Sequence, residues 1–220
     1  MGQRIFQQPF SWKSLGIDVR GRSHTLQINY RTSHQIRAQA DRLLPPTLAD
    51  VDGIAESRRG TISVFNGPPP EIEIFENPEE ECEAVGRWVA ERLAEGCLPH
   101  EIGVFVRAGD QLKRARAAVR IAGARGVELS EKVEPEAGKI AISTMHLAKG
   151  LEFRAVAVMA CDDEVIPSQE RIETVADESD LEEVYNTERH LLYVACTRAR
   201  DRLMISGVDP ASEFLDDLAR

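Results

Sequence analysis

Three short polar segments of this chain hold the residues most able to do chemistry. The stretch Ile142–Phe153 places a hydroxyl, an imidazole, an ammonium, a glycine and a carboxylate between two apolar runs. Residues 188–202 end an apolar helix pattern with Thr197, Arg198 and Arg200, and residues 29–32 follow a strand pattern. One such segment alone could be a solvated loop. Three at strand or helix ends predict a functional site, because open α/β sheets bind ligands at the ends of strands.

Composition limits the classes of protein that these segments can belong to. The chain has 220 residues, 42% of them hydrophobic, which is enough for one large or two small domains. Its apolar runs are far shorter than a membrane span, and no signal segment opens it, so we expect a cytoplasmic protein without a membrane partner. The four scattered cysteines predict reduced core thiols. The net charge of −10 argues against binding nucleic acid by global charge but leaves a local phosphate track open.

Alternating strand and helix patterns predict βαβ units around a mostly parallel sheet. Helices are expected after the caps Ser33, Asn77 and Asp110, from about Leu181, and over residues 211–218. Residues 45–60 and 162–183 are expected to be loops. Strands are expected near residues 26–28, 61–65, 72–75, 102–106, 127–129, 140–142, 154–160 and 202–206.

The chain contains neither a GxxxxGK[ST] phosphate loop nor a GxGxxG fingerprint, so it cannot cradle a nucleoside triphosphate in the usual way by itself. Its polar segments instead resemble, in order, motifs IV, V and VI of the UvrD/Rep-like superfamily 1 DNA helicases. The resemblance covers nearly the whole chain and implies a RecA-like α/β fold, equivalent to the second motor domain of these enzymes. The matching strings are Asn29-Tyr30-Arg31-Thr32, Thr144-x-His146-x-Ala148-Lys149-Gly150-Leu151-Glu152-Phe153 and Glu188-Arg189-x-Leu191-Leu192-Tyr193-Val194-Ala195-x-Thr197-Arg198-Ala199.

The resemblance implies a nucleotide-binding role for one set of residues. Tyr30 matches the aromatic residue that stacks on adenine, and Glu152, beside Gly150, matches the carboxylate that binds the ribose hydroxyl. Arg31 and Arg198 match arginines that approach the γ-phosphate, with Arg198 as the arginine finger. A guanidinium suits this role because it is always charged and presents a fixed fork to phosphate oxygens. The implied cofactor is ATP with Mg²⁺, bound only together with a first motor domain.

A second set of residues is implied to contact single-stranded DNA. Thr144 and His146 match residues that face the strand, and Lys149 and Thr197 are candidate neighbours. Trp12, or else Phe10 or Phe6, is a candidate for stacking on a base. Gln3 would be the motif III glutamine, which links the γ-phosphate to the DNA groove.

Structural explanations exist for several of these residues. Tyr30 could cap a core edge, since tyrosine often buries its ring and leaves its hydroxyl in water. Arg31 or Arg198 could form an ordinary surface ion pair with the abundant acids. His146 could be a satisfied structural histidine. Arg200 and Arg202 are expected to be solvated or paired.

The chain departs from the family in two respects. It opens inside motif III, which predicts that residues 1–23 are an entry segment from a missing first motor domain and that residues 24–220 form the second. The phosphate-binding lysine and the Mg²⁺ ligands would lie in that first domain, so this chain alone is expected to be inactive. Only about a dozen residues separate Val127 from Ile140, which leaves no room for the large helical insertion of many relatives.

The sequence is compatible with three functions. The first is a helicase motor domain, whose partners would be single-stranded DNA and the N-terminal motor domain of the same parent protein. The second is a non-catalytic protein- or DNA-binding module derived from a half-motor. The third is a helicase–nuclease arm, which the lack of an acidic cluster after Leu218 disfavours.

Overall fold

The computed structural model describes residues 28–45, 47–49, 55–57 and 62–219, so the predicted entry segment lies outside the described residues. The helices are α1 His34–Ala40, α2 Pro78–Ala94, α3 Leu112–Ile121, α4 Gln169–Glu173, α5 Glu178–Cys196 and α6 Glu213–Ala219. The strands are β1 Ile28–Asn29, β2 Thr47–Ala49, β3 Ala55–Ser57, β4 Ile62–Ser63, β5 Glu71–Phe75, β6 Ile102–Val106, β7 Gly126–Glu128, β8 Ile140–Thr144, β9 Phe153–Val158 and β10 Ala199–Val208.

Six of the strands form one sheet in the order β5-β10-β9-β6-β8-β7. Every neighbouring pair in this sheet is parallel, which confirms the predicted parallel α/β fold. The short strands β1 and β4 pair in parallel, and β2 and β3 pair antiparallel. Residues 129–139, between β7 and β8, contain no helix, as the sequence predicted.

The sheet is buried on both faces. A separate hydrophobic core lies on each face, and successive side chains of β6 point to alternate cores. Val104 packs in the core with α2 and α3, and Phe105 packs in the core with α1, α5 and α6. All five residues of β6 are buried, which is typical of a central strand in a parallel sheet that is covered on both sides.

Capping residues set both ends of α2, the longer of the two helices on the face of the sheet that α2 shares with α3. Asn77 Oδ1 accepts a hydrogen bond from Glu80 N at 2.9 Å, and Pro78 takes the first helical position. The helix α2 ends just before Gly96, whose φ of 91° allows the chain to leave it. Both ends agree with the sequence prediction.

Three local predictions were wrong. Residues 45–60, predicted to be a loop, contain the β2–β3 pair. The predicted loop over residues 162–183 contains α4 and the first turn of α5, which starts earlier because Asp177 caps it by accepting from Asp180 N at 3.0 Å. Asp110 does not cap α3; it lies in a 3-10 turn over residues 109–111, which displaces the start of α3 to Leu112.

We expect Gly207→Ala to destabilise the fold by about 1–3 kcal/mol, because it overpacks a filled site. A Cβ on Gly207 would lie 2.4 Å from the carbonyl oxygen of Cys161, and backbone cannot easily move away. Gly109→Ala is the matched control, since a Cβ there meets nothing within 4 Å. Urea unfolding of both variants measures the difference. Equal midpoints for the two variants would show that the chain relaxes around the added methyl group.

Candidate functional site

The candidate site residues lie at the two ends of the parallel strands. We call the side where the strands end the carboxyl edge of the sheet and the side where they begin the amino edge. Thr144 ends β8 at the carboxyl edge, and Phe153 begins β9 at the amino edge, since both strands run parallel to β6. The segment between them runs back along the α5 side of the sheet, where Met145 and Ala148 join the core. A five-residue strand spans about 16 Å. His146 therefore lies near one edge of the sheet, and Glu152 lies near the other.

Two backbone junctions assemble the group at the amino edge. Helix α5 ends at Cys196, so Arg198 lies in the turn that leads into β10, where its carbonyl accepts from Phe153 N at 2.9 Å. The Thr32 hydroxyl donates to the carbonyl of Thr197 at 3.4 Å, which holds residues 29–32 against the same turn. Arg31, Glu152 and Arg198 are thereby brought together, as the resemblance requires.

Arg198 is only 2% exposed, and its guanidinium bonds to uncharged groups. Its Nε donates to the carbonyl of Val194 at 3.0 Å, Nη1 to the carbonyl of Leu151 at 3.2 Å and Nη2 to the Thr197 hydroxyl at 3.4 Å. Burial, and then the nearby charge of Arg31, lower the pKa of Arg198. It forms no ion pair with a carboxylate among the described residues, so the surface ion-pair explanation fails for Arg198.

Arg31 behaves differently from Arg198. Its Nε lies 3.4 Å from Glu152 Oε2, and the two side chains are 57% and 46% exposed. The surface ion-pair explanation therefore describes Arg31 in this structure. Such exposed pairs contribute about 0–1 kcal/mol, so a phosphate and a ribose hydroxyl could each take one partner at little cost.

The other residues of the nucleotide set are open to solvent. Tyr30 is 66% exposed, so it does not cap a core edge. Gly150 has a φ of 86°, and a Cβ there would meet nothing within 4 Å. The positive φ gives glycine at this position a role in the backbone turn. Lys149, which belongs to the predicted DNA set, is exposed immediately before it.

The group at the carboxyl edge contains charged residues that the sequence analysis missed. Glu188 is fully buried and accepts from Arg107 Nε at 2.5 Å and Nη2 at 2.6 Å, and from Arg171 Nη1 at 2.8 Å. His146 is half-buried beside them, and burial, followed by the charge of Arg107, lowers its pKa. We call Arg107, His146, Arg171 and Glu188 the Glu188 cluster. The one available signal was that Arg107 directly follows a buried strand.

The predicted DNA set is not one cluster. Thr144 and His146 lie at the carboxyl edge, but Thr197 belongs with Arg198 at the amino edge, and its hydroxyl donates to the carbonyl of Val194 at 3.1 Å. The structural explanation for His146 stays open. Arg200 pairs with Asp201, and Arg202 pairs with Glu95, as expected. Four candidates lie outside the described residues: Gln3, Phe6, Phe10 and Trp12.

The described residues show neither a cluster of metal ligands nor a membrane-spanning helix. Within residues 28–45, 47–49, 55–57 and 62–219, no group of three or more His, Cys, Asp or Glu side chains could hold a metal ion. Across the same ranges, no helix has both the length and the apolar character needed to cross a membrane.

Comparison with known proteins gives a family match over part of the chain. Residues 124–209 match the model of the UvrD-like helicase C-terminal domain. This part of the chain, which is less than half of its 220 residues, is similar to that family. This match includes β8, β9, α5 and β10, and so covers both edges at which the candidate residues lie.

Curated helicases from several bacteria are similar to the same part of the chain. ATP-dependent DNA helicase UvrD1 of Mycobacterium leprae is 41% identical over 96 residues, which are 39% of this chain and 11% of that protein. ATP-dependent DNA helicase PcrA of Bacillus subtilis is 38% identical over 89 residues, 40% of this chain and 11% of its own length. The matched part of the chain thus spans about a tenth of the length of each relative.

A solved structure has the same fold over most of the chain. It is the C-terminal domain of a possible DNA helicase from Lactobacillus plantarum, with a TM-score of 0.58 and 21% identity. The match covers 86% of this chain and 94% of that one. It supports the α/β fold of this chain beyond residues 124–209.

Proposed function

We propose that this chain is the second motor domain of an ATP-dependent DNA helicase or translocase. The observation that carries the proposal is the buried guanidinium of Arg198, which has no carboxylate partner among the described residues. A buried charge is costly unless something neutralises it, so an anion supplied from outside the domain fits this position. A triphosphate held by a neighbouring motor domain is such an anion.

Each residue at the amino edge has a distinct task in this proposal. Arg198 and Arg31 approach the γ-phosphate oxygens, and the fixed hydrogen bonds of Arg198 to Val194 and Leu151 orient its fork beforehand. Tyr30 offers an exposed ring to adenine. Glu152 leaves Arg31 and accepts a ribose hydroxyl. Thr144 and His146 contact the single strand at the other edge.

The partner motor domain would hold Mg²⁺, which would supply charge neutralisation at the triphosphate. The four cysteines among the described residues are free and buried, which fits a reducing cytoplasmic location. DNA-stimulated ATP turnover by a protein that carries both motor domains tests the proposed function. Its absence, with both domains folded, would contradict the proposal.

The 220-residue chain alone should hydrolyse no ATP, because its sequence has no phosphate loop to hold the triphosphate. Steady-state phosphate release with and without single-stranded DNA is the measurement. An Arg198→Ala preparation made in parallel sets the background from contaminating enzymes. Turnover above that background would contradict the assignment as a half-motor.

In a protein with both motor domains, Tyr30→Ala should weaken nucleotide binding but change turnover at saturating ATP much less. Stacking on adenine is similar in the ground and transition states, so its loss raises KM rather than lowering kcat. Tyr30→Phe, which keeps the ring, is the control and should bind nucleotide normally. A drop in kcat at unchanged KM would rule out adenine stacking by Tyr30.

A further inference from the structure

The Glu188 cluster carries one more positive charge than its carboxylate can neutralise. Arg107 alone occupies both oxygens of Glu188, in a bidentate pair. Arg171 then brings a second guanidinium to the same carboxylate. The surplus charge is accessible, because the side chain of Arg171 is 40% exposed while that of Glu188 is fully buried.

The acids nearest to Arg171 in sequence do not cancel this surplus. Glu170 and Glu173 lie one position before it and two positions after it on α4, and residues so spaced do not face each other on a helix. Glu173 instead accepts from Gln169 at 3.3 Å. Among the described residues, Glu188 is the only carboxylate with which Arg171 forms an ion pair, although the whole chain has a net charge of −10.

The cluster is separate from the nucleotide group. Glu188 precedes the end of α5 at Cys196 by eight helical residues, which corresponds to about 12 Å. Arg107 follows β6 at the carboxyl edge, where Val106 pairs with Thr144. The surplus charge therefore lies on the side of the domain that carries Thr144 and His146.

We propose that Arg171, held in place by Glu188, binds a backbone phosphate of single-stranded DNA. Arg107 is a positioning residue, because it is 7% exposed and both of its bonds fix the carboxylate. Arg171 donates to Glu188 through Nη1 alone, so its other guanidinium nitrogens can donate to a phosphate at the same time. This inference rests on the proposed function and adds to it a residue outside the three polar segments.

The test is a salt titration of the 220-residue chain with a fluorescent oligothymidylate. Wild-type binding should be weak and steeply salt-dependent, because few phosphate contacts work against the net negative charge. Arg171→Ala should lower affinity roughly three- to tenfold at low salt and reduce the slope of log K against log salt by about 0.7. Arg171→Lys keeps the charge and should keep the wild-type slope.

Arg116→Ala is the matched control, since it removes one exposed arginine, paired with Glu128 at 3.0 Å, from the other face of the sheet. Arg171→Ala should fold normally because Glu188 keeps Arg107, and its melting temperature checks this. If Arg171→Ala binds with the affinity and slope of the wild type, the proposed contact of Arg171 with a phosphate is wrong. The same holds if Arg171→Ala and Arg116→Ala lower the slope equally. In both cases the proposal that the domain binds single-stranded DNA is unaffected. If the wild type itself does not bind, strand binding by this domain fails as well.

Discussion

Arg198→Ala should lower ATP turnover by roughly 10³–10⁵ in a protein that carries both motor domains, while nucleotide affinity changes far less. The guanidinium acts as charge develops on the γ-phosphate oxygens, so its loss removes an interaction made mainly in the transition state. Arg31 lies close to Arg198 and could still supply part of the transition-state stabilisation in the Arg198→Ala variant. Single-turnover hydrolysis and nucleotide titration measure the two quantities separately.

Burial of Arg198 makes a structural control necessary. Alanine would remove the Arg198 donor from the carbonyl of Leu151 and one of two side-chain donors from the carbonyl of Val194, which keeps the Thr197 hydroxyl. A purely structural role would lower the melting temperature and the nucleotide affinity together. Arg198→Lys keeps the charge but loses the planar fork, and we expect it not to restore turnover. Normal turnover by Arg198→Ala would exclude the arginine-finger role.

Features set by neighbouring residues could be predicted from the sequence. The N-cap of α2 at Asn77 depends on residues 77–80 alone, and the buried strand β6 is a continuous apolar run. The grouping of Arg31, Glu152 and Arg198 followed from resemblance to known motifs rather than from physical reasoning about the chain. Its geometry agrees with that resemblance, although the roles stay predictions.

Features set by strand order could not be predicted. β8 and β9 follow each other in the chain, yet β6 lies between them in the sheet. Both strands run parallel to β6, so the segment between Thr144 and Phe153 must return from the carboxyl edge to the amino edge. This return separates Thr144 and His146 from Thr197, which the sequence had placed together. The Glu188 cluster likewise joins residues from four segments of the chain, and no local pattern indicates such a contact.

Helix α2 is joined to the carboxyl ends of β9 and β10 through a second buried carboxylate. Glu81 is fully buried and accepts from Ala160 N and from the Ser206 hydroxyl, both at 2.8 Å. Its other oxygen pairs with Arg114, which also pairs with Asp162. One side chain thus satisfies three donors that have little access to water.

Glu81→Ala should lower the free energy of unfolding by about 3–5 kcal/mol, because it leaves a buried arginine short of a counter-charge and two donors unpaired. Glu83→Ala, on the same helix, is the control: its exposed pair with Arg87 at 3.8 Å is worth at most about 0.5 kcal/mol. Glu81→Gln should fall between the two, since the amide oxygen still accepts hydrogen bonds while the charge is lost. Urea unfolding ranks the three variants. Equal losses for Glu81→Ala and Glu83→Ala would mean that water or a shifted side chain replaces the carboxylate, and that the buried pair does not hold α2 to the sheet.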